Sequence, residues 1–182
     1  MHKAVLAGCS DYFQAMFSHD MLERSANELE LETVSPSAMQ HLIRYAYSGH
    51  MTLTLDNVSD ILSAATFLQI TDAIKLCASF LKSKLSFTNG DEIVSLGERF
   101  GLVELKQHQR RYILDNFITF ADTQAFLELD ALKLASYLID DSLKTPSEGT
   151  LLKKVLKWYE HDKKRRERDM FYVLERVRYT LD

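Results

Sequence analysis

Apolar residues recur along this chain at helical spacing far more often than at the alternation of a strand. Val5, Leu6, Cys9, Phe13 and Phe17 share one broad face of a helix predicted over Lys3–Phe17. Ser35-Pro36 opens the next helix, with serine as cap and proline in the first turn. It runs to about Ser48, where Gly49 can supply a left-handed stop. Val58, Ile61, Leu62, Ala65 and Leu68 mark a third buried face, and Ile74, Cys77, Ala78, Leu81 and Leu85 a fourth, begun by Thr71-Asp72.

Strict alternation is convincing at one place only, Glu28-Leu29-Glu30-Leu31-Glu32, which suits a half-buried strand. One strand cannot satisfy its own backbone, so a small sheet with other partners is expected there. Met51–Leu55 also alternates, but it is short enough to be an extended link.

Thr88-Asn89-Gly90-Asp91 is the clearest internal break. Short helices follow at about Asp91–Phe100, Glu104–Phe117, Asp122–Leu127 and Ala131–Ile139. A longer one starts at Thr145-Pro146-Ser147-Glu148, where Thr145 and Glu148 have capping-box spacing. Leu151, Leu152, Val155, Leu156 and Tyr159 are expected to form its buried stripe, and a last helix covers about Arg168–Val177. Short connections between helices make antiparallel neighbours, so this half is expected to be a stack of helical hairpins.

Composition narrows the class without changing the outline. At roughly 100–200 residues per domain, 182 residues make one domain or two small ones, and 46% hydrophobic content is enough for a core. Two prolines and six glycines favour helices over a turn-rich β architecture. The formal charge of -4 gives no global positive field toward nucleic acid or an anionic membrane. No apolar run reaches the ~18–20 residues of a membrane span, and no signal-peptide pattern opens the chain. The expected setting is intracellular and cytoplasmic, with a nuclear location left open. Cys9 and Cys77 lie in separate helix-like runs and read as small buried hydrophobes in a reducing compartment.

The same residues carry no recognisable catalytic or metal-binding pattern. There is no glycine-rich phosphate loop, GxSxG, HExxH or CxxC. The six histidines are scattered, without ligand spacing, and read as surface residues. No catalytic residue, cofactor or metal is expected. Lys163-Lys164-Arg165-Arg166 with Arg168 could be an import or nucleic-acid patch, but Asp162, Glu167 and Asp169 dilute it, and it reads as a solvated joint between helices. Asp140-Asp141 likewise reads as a solvated acidic pair at a helix end.

A family resemblance runs through the whole chain. "HKAVLAGCSDYFQAMFS" resembles the helix after the second strand of a BTB (POZ) domain. "ELELETVSPSAMQHLIRYAYSG", "NVSDILSAATFLQI" and "AIKLCASFL" are similar to the strand and helices that follow it. From Phe87 onward, "RRYILDNF", "FLEL", "LIDDSLKTPSE", "VLKWYEHDKKRR" and "RVRYTLD" look like a BACK domain. The ordered set, rather than any one phrase, identifies the kelch-like family. The resemblance implies a mainly α protein: an α+β BTB remnant with a small sheet over residues 1–86, incomplete at its N-terminal side, then an all-α BACK stack over residues 87–182.

It also implies a role. The resemblance implies a substrate adaptor of a cullin-3 RING ubiquitin ligase, whose BTB domain dimerises and binds the cullin N-terminal region. The BACK domain extends that contact and positions a kelch propeller that takes the substrate. These adaptors use a hydrophobic-x-Glu motif after the first helix seen here, which Met21-Leu22-Glu23 matches. A thioether can fill a groove on a partner helix, and a carboxylate can hold the loop by accepting backbone N–H bonds. The resemblance also places Asp11, Tyr12 and Phe13 near the cullin, with Phe13 equally readable as core. Tyr47 reads as packing.

Two parts of the family pattern are missing from the sequence: a helix and two strands ahead of His2, and kelch repeats after Asp182. The first puts homodimerisation by the usual route in question, and the second leaves no substrate receptor. Two alternatives to the adaptor reading stay open. One is a non-degradative BTB scaffold in transcription or cytoskeleton organisation. The other is a truncated competitor of complete adaptors.

Overall fold

A computed structural model describes residues 2–18, 31 and 33–178. Among the described residues there are thirteen helices and no strand. The mainly α class holds, but the small sheet is not seen. The alternating segment Glu28–Glu32 lies outside the described residues except for Leu31. Met51–Leu55 is an irregular link: Thr54 N–H donates to Asn57 Oδ1 at 2.8 Å, and Asn57 Nδ2 donates to Thr52 O at 3.2 Å. No described helix is long and apolar enough to cross a membrane.

The chain forms two compact units, Met1–Leu85 with Glu92–Leu105, and Ser86–Asp91 with Lys106–Asp182. The first unit starts with α1 (Lys3–Cys9) and α2 (Asp11–Ser18), where the sequence predicts one continuous helix. Ser10 causes the break. Its backbone is extended, and its hydroxyl accepts the Phe13 N–H at 3.1 Å while donating to Leu68 O at 2.5 Å. A serine that caps the following turn and satisfies a distant carbonyl competes successfully with helix continuation.

Helix α3 (Pro36–Ser48) has the predicted ends: Ser35 Oγ accepts from Ala38 N–H at 3.2 Å, and Gly49 at φ 70° donates to Tyr45 O. Helices α4 (Val58–Phe67) and α5 (Thr71–Ser83) carry the centre of this core. Ile61, Leu62, Ala65, Leu68, Ala73 and Cys77 are all completely buried. The corner between them turns through Gln69 at φ 52°, and Ile70 N–H reaches back to Ala65 O at 2.8 Å. That six-residue return is a helix-ending motif that ordinarily takes glycine. Most of α6 (Gly90–Arg99) and the start of α7 (Glu104–Asp115) complete the unit. The backbone packs closely at Gly97, where an added Cβ would lie 2.7 Å from Leu105 Cδ1 and 3.1 Å from Leu102 O.

The second unit holds the rest of α7, then α8 (Phe117–Phe120), α9 (Gln124–Leu127), α10 (Ala131–Leu138), α11 (Glu148–His161), α12 (Lys163–Arg166) and α13 (Met170–Arg178). Phe117, Phe120 and Phe126 meet edge to face or tilted, with centroids 5.8–6.4 Å apart, a favourable aromatic geometry. Helix α11 departs from the sequence expectation twice. Its cap is Ser147, which accepts from Thr150 N–H, rather than Thr145. Its buried stripe is Leu151, Val155 and Trp158, each with no exposure, while Leu152 and Leu156 stand 36% and 40% exposed. Trp158 therefore takes the place in the core that the sequence assigns to the neighbouring leucines.

Candidate protein-interaction surface

In the first unit the hydroxyl of Ser10 ties the start of α2 to the end of α4. This brings Tyr12 against Phe67, with ring centroids 5.3 Å apart. Phe67 is 40% exposed, Tyr12 is half-buried, and Asp11 is exposed at the first turn of α2, where a carboxylate complements the helix dipole. Phe13 is 2% exposed. It packs edge to face on Tyr12 at 5.5 Å and stacks on Phe17 at 5.8 Å, so it supports the patch from beneath. Met21 and Glu23 lie outside the described residues. Tyr47 is half exposed, and its hydroxyl accepts the His2 N–H at 2.8 Å.

Phe67 and Gln69 were not anticipated from the sequence. Phe67 falls off the Val58–Leu68 apolar stripe, and an aromatic residue off its helix stripe is the signal that could have found it. Gln69 needed the structure, because nothing in the sequence marks a non-glycine residue in the left-handed region.

The groups that could carry chemistry are quiet. Burial raises the Cys77 thiol to about 11, and it also raises Cys9, so both remain thiols rather than nucleophilic thiolates at neutral pH. Cys77 is buried as expected, whereas Cys9 is only half-buried. His2, His50, His108 and His161 are exposed, His41 is half-buried, and His19 lies outside the described residues. Among the described residues no group of three or more His, Cys, Asp or Glu side chains could hold a metal ion.

The BTB/POZ domain family model matches residues 1–85, and the model described as "BTB And C-terminal Kelch", BACK, matches residues 91–181. The chain belongs to the kelch-like BTB–BACK family. Kelch-like protein 26 of Danio rerio is 40% identical over 166 residues, which is 91% of this chain and 27% of that protein. Kelch-like protein 4 of Homo sapiens is 35% identical over 99% of this chain and 25% of its own length. Kelch-like protein 26 of Homo sapiens is 37% identical over 99% of this chain and 29% of its own length. The chain thus spans less than a third of the length of these kelch-like relatives.

Within the BACK region, two charged groups differ from the sequence reading. Asp140 is not simply solvated. Arg110 Nε and Nη2 donate to its Oδ2 at 3.0 and 2.6 Å, and Nη2 also donates to Ser136 O. Burial opposes ionisation of Asp140, but the hydrogen bonds from Arg110 and Ser142 outweigh it and hold the carboxyl below its ordinary range. Asp141 is exposed. The basic run is mostly solvated, yet Arg166 within it is 7% exposed. Its guanidinium donates to the carbonyls of Trp158, Leu127 and Leu129, and lies 4.2 Å from the Trp158 ring centroid. Burial lowers its pKa from the usual arginine value. A planar five-donor fork can serve several carbonyls at once, which makes an interior arginine tolerable here.

Proposed function

We propose that this chain is a non-catalytic substrate-adaptor module of a cullin-3 RING ubiquitin ligase. Its BTB part binds the cullin N-terminal region, and its BACK part positions a kelch substrate receptor. The observation that carries this reading is the partly exposed patch of Asp11, Tyr12 and Phe67, held where Ser10 ties the start of α2 to the end of α4 inside the BTB-matching region. Partly exposed aromatics on a fixed scaffold are the residues that most often dominate binding energy. In this reading Met21 is the adaptable apolar contact of the hydrophobic-x-Glu motif, Glu23 is its carboxylate, and Phe13 holds Tyr12 in place from below.

Titration of the intact chain with a cullin-3 N-terminal fragment tests the proposal. Measurable binding, weakened about tenfold or more by Met21→Asp, is expected, since tenfold corresponds to ~1.4 kcal/mol at one contact. Absence of binding would favour a scaffold without cullin affinity. Unchanged affinity in Met21→Asp would remove that residue from the interface.

A further inference from the structure

The link from α11 to α13 is almost wholly polar. From Glu160 to Tyr172, Arg166 is the one buried residue, and Lys163, Lys164, Arg165, Glu167, Arg168 and Asp169 are exposed. Hydrophobic burial therefore does not fix the course of this link. Its single interior anchor is a guanidinium that grips the carbonyls of Leu127 and Leu129 on one side and that of Trp158 on the other. Trp158 Nε1 donates to the same Leu129 carbonyl at 2.9 Å, so ring and guanidinium share an acceptor.

Directly beside this anchor is a groove of about 520 Å³ lined by Asp130, Ala131, Leu132, Asp169 and Tyr172. One wall, Asp130 to Leu132, follows immediately after the carbonyls that Arg166 holds. The other, Asp169 and Tyr172, follows three and six residues after Arg166 itself, and Arg166 O accepts the Asp169 N–H at 3.1 Å. We infer that Arg166 is a clasp that fixes α12 and the entry to α13 against the turn between α9 and α10 and so sets the width of this groove. Release of the clasp loosens α12 and the first turn of α13, while Val173 and Val177 stay packed in the core with Phe117, Phe120 and Phe126.

The specificity lies in the fork. Lysine carries the same charge but offers a compact ammonium with less reach across separated, planar-disposed acceptors. Arg166→Lys should therefore behave like Arg166→Met, only more mildly. Trp158 is the sole tryptophan and is fully buried, so its fluorescence reports on the clasp directly.

Hydrogen exchange by mass spectrometry, together with acrylamide quenching of Trp158, tests this on the intact chain. In Arg166→Met, the amides of α12 and the first turn of α13 should exchange about tenfold faster, corresponding to ~1.4 kcal/mol of local opening. Quenching should rise clearly, and α7 and α8 should change by less than about twofold. Arg166→Lys should shift the same two signals in the same direction, and it decides the matter if Arg166→Met does not fold. Uniform acceleration across α7–α13 would overturn the clasp, making Arg166 an ordinary core residue. So would Arg166→Lys exchange and quenching equal to the native chain.

Discussion

The two regions of this molecule anchor polar side chains in their interiors in different ways. The BTB region uses a neutral group: Ser10 is 2% exposed and needs only one acceptor and one donor, Leu68 O and Phe13 N–H. The BACK region buries a cation, and Arg166 needs three carbonyls and an aromatic face. A hydroxyl is inexpensive to desolvate when paired, whereas a charge is tolerated only with full coordination. The contrast extends to the surface. In the BTB region the anchor presents the aromatic patch of Tyr12 and Phe67. In the BACK region it organises the C-terminal helices around Trp158.

The sharpest way to break the contrast is to remove the BACK keystone. Trp158→Ala should destabilise the chain by about 4 kcal/mol, the usual cost of truncating a buried large aromatic, and more here because Arg166 and Leu129 O lose a partner. Chemical denaturation monitored by far-UV circular dichroism reads this. Removing the BTB anchor should cost less. Ser10→Ala should destabilise by about 1–2 kcal/mol through the lost cap and an unsatisfied Leu68 carbonyl, with Tyr12 losing its fixed place beside Phe67. The two losses can be told apart by hydrogen exchange, which should localise the first to α9–α13 and the second to α2 and the α4–α5 corner.

Gln69→Gly should act in the opposite sense. A non-glycine residue in the left-handed region is disfavoured by ~1–2 kcal/mol, so glycine at φ 52° should stabilise the BTB region by about 1 kcal/mol, seen as a higher denaturation midpoint. An unchanged or lower midpoint would mean that the Gln69 side chain makes a compensating contact.

The pH responses should separate the regions most gently. Three BACK carboxyls are depressed: Asp115 by Lys144, Asp122 by Lys154 and Lys157, and Asp140 by Arg110 and Ser142 against its own burial. Groups depressed in the folded state add stability above their unfolded value, near ~3.9, and lose it as pH falls through the lower folded values. The BACK region should therefore weaken first in acid, and Asp140→Asn should blunt that response. In the BTB region burial raises Cys77 to about 11. A raised group contributes fully below its unfolded value, near ~8.5, and that contribution fades as pH rises toward the folded value. The BTB region should weaken first in alkali, and Cys77→Ala should remove that part. Denaturation series at acid and alkaline pH, read region by region, check both.

Much of the fold was legible because its signals are local. The Ser35 cap, Pro36 and the Gly49 stop define α3 within one stretch of sequence, and the Val58–Leu68 and Ile74–Leu85 stripes are simple helical repeats. The features that escaped depend on distant partners. Ser10 breaks a helix because Leu68, far along the chain, accepts its hydroxyl. In α11 periodicity alone could not choose between Leu156 and Trp158 for the core, since Leu129 and Arg166 decide it. The same holds for Arg166 and Asp140, which look like surface charges until α9 and α7 bring their partners to them. In the candidate patch, Asp11, Tyr12 and Phe13 are suggested by resemblance to a family, while Phe67 joins them only because the corner places it beside Tyr12.

In the proposed function the BTB region carries the partner surface. Isothermal titration of a cullin-3 N-terminal fragment into the native chain, Tyr12→Ala and Leu132→Ala tests it most directly. Leu132 is 73% exposed in the BACK region and serves as the control surface. The account predicts binding that Tyr12→Ala weakens about tenfold, or ~1.4 kcal/mol, and that Leu132→Ala leaves unchanged. Equal affinity for the native chain and Tyr12→Ala, or a loss confined to Leu132→Ala, would contradict it.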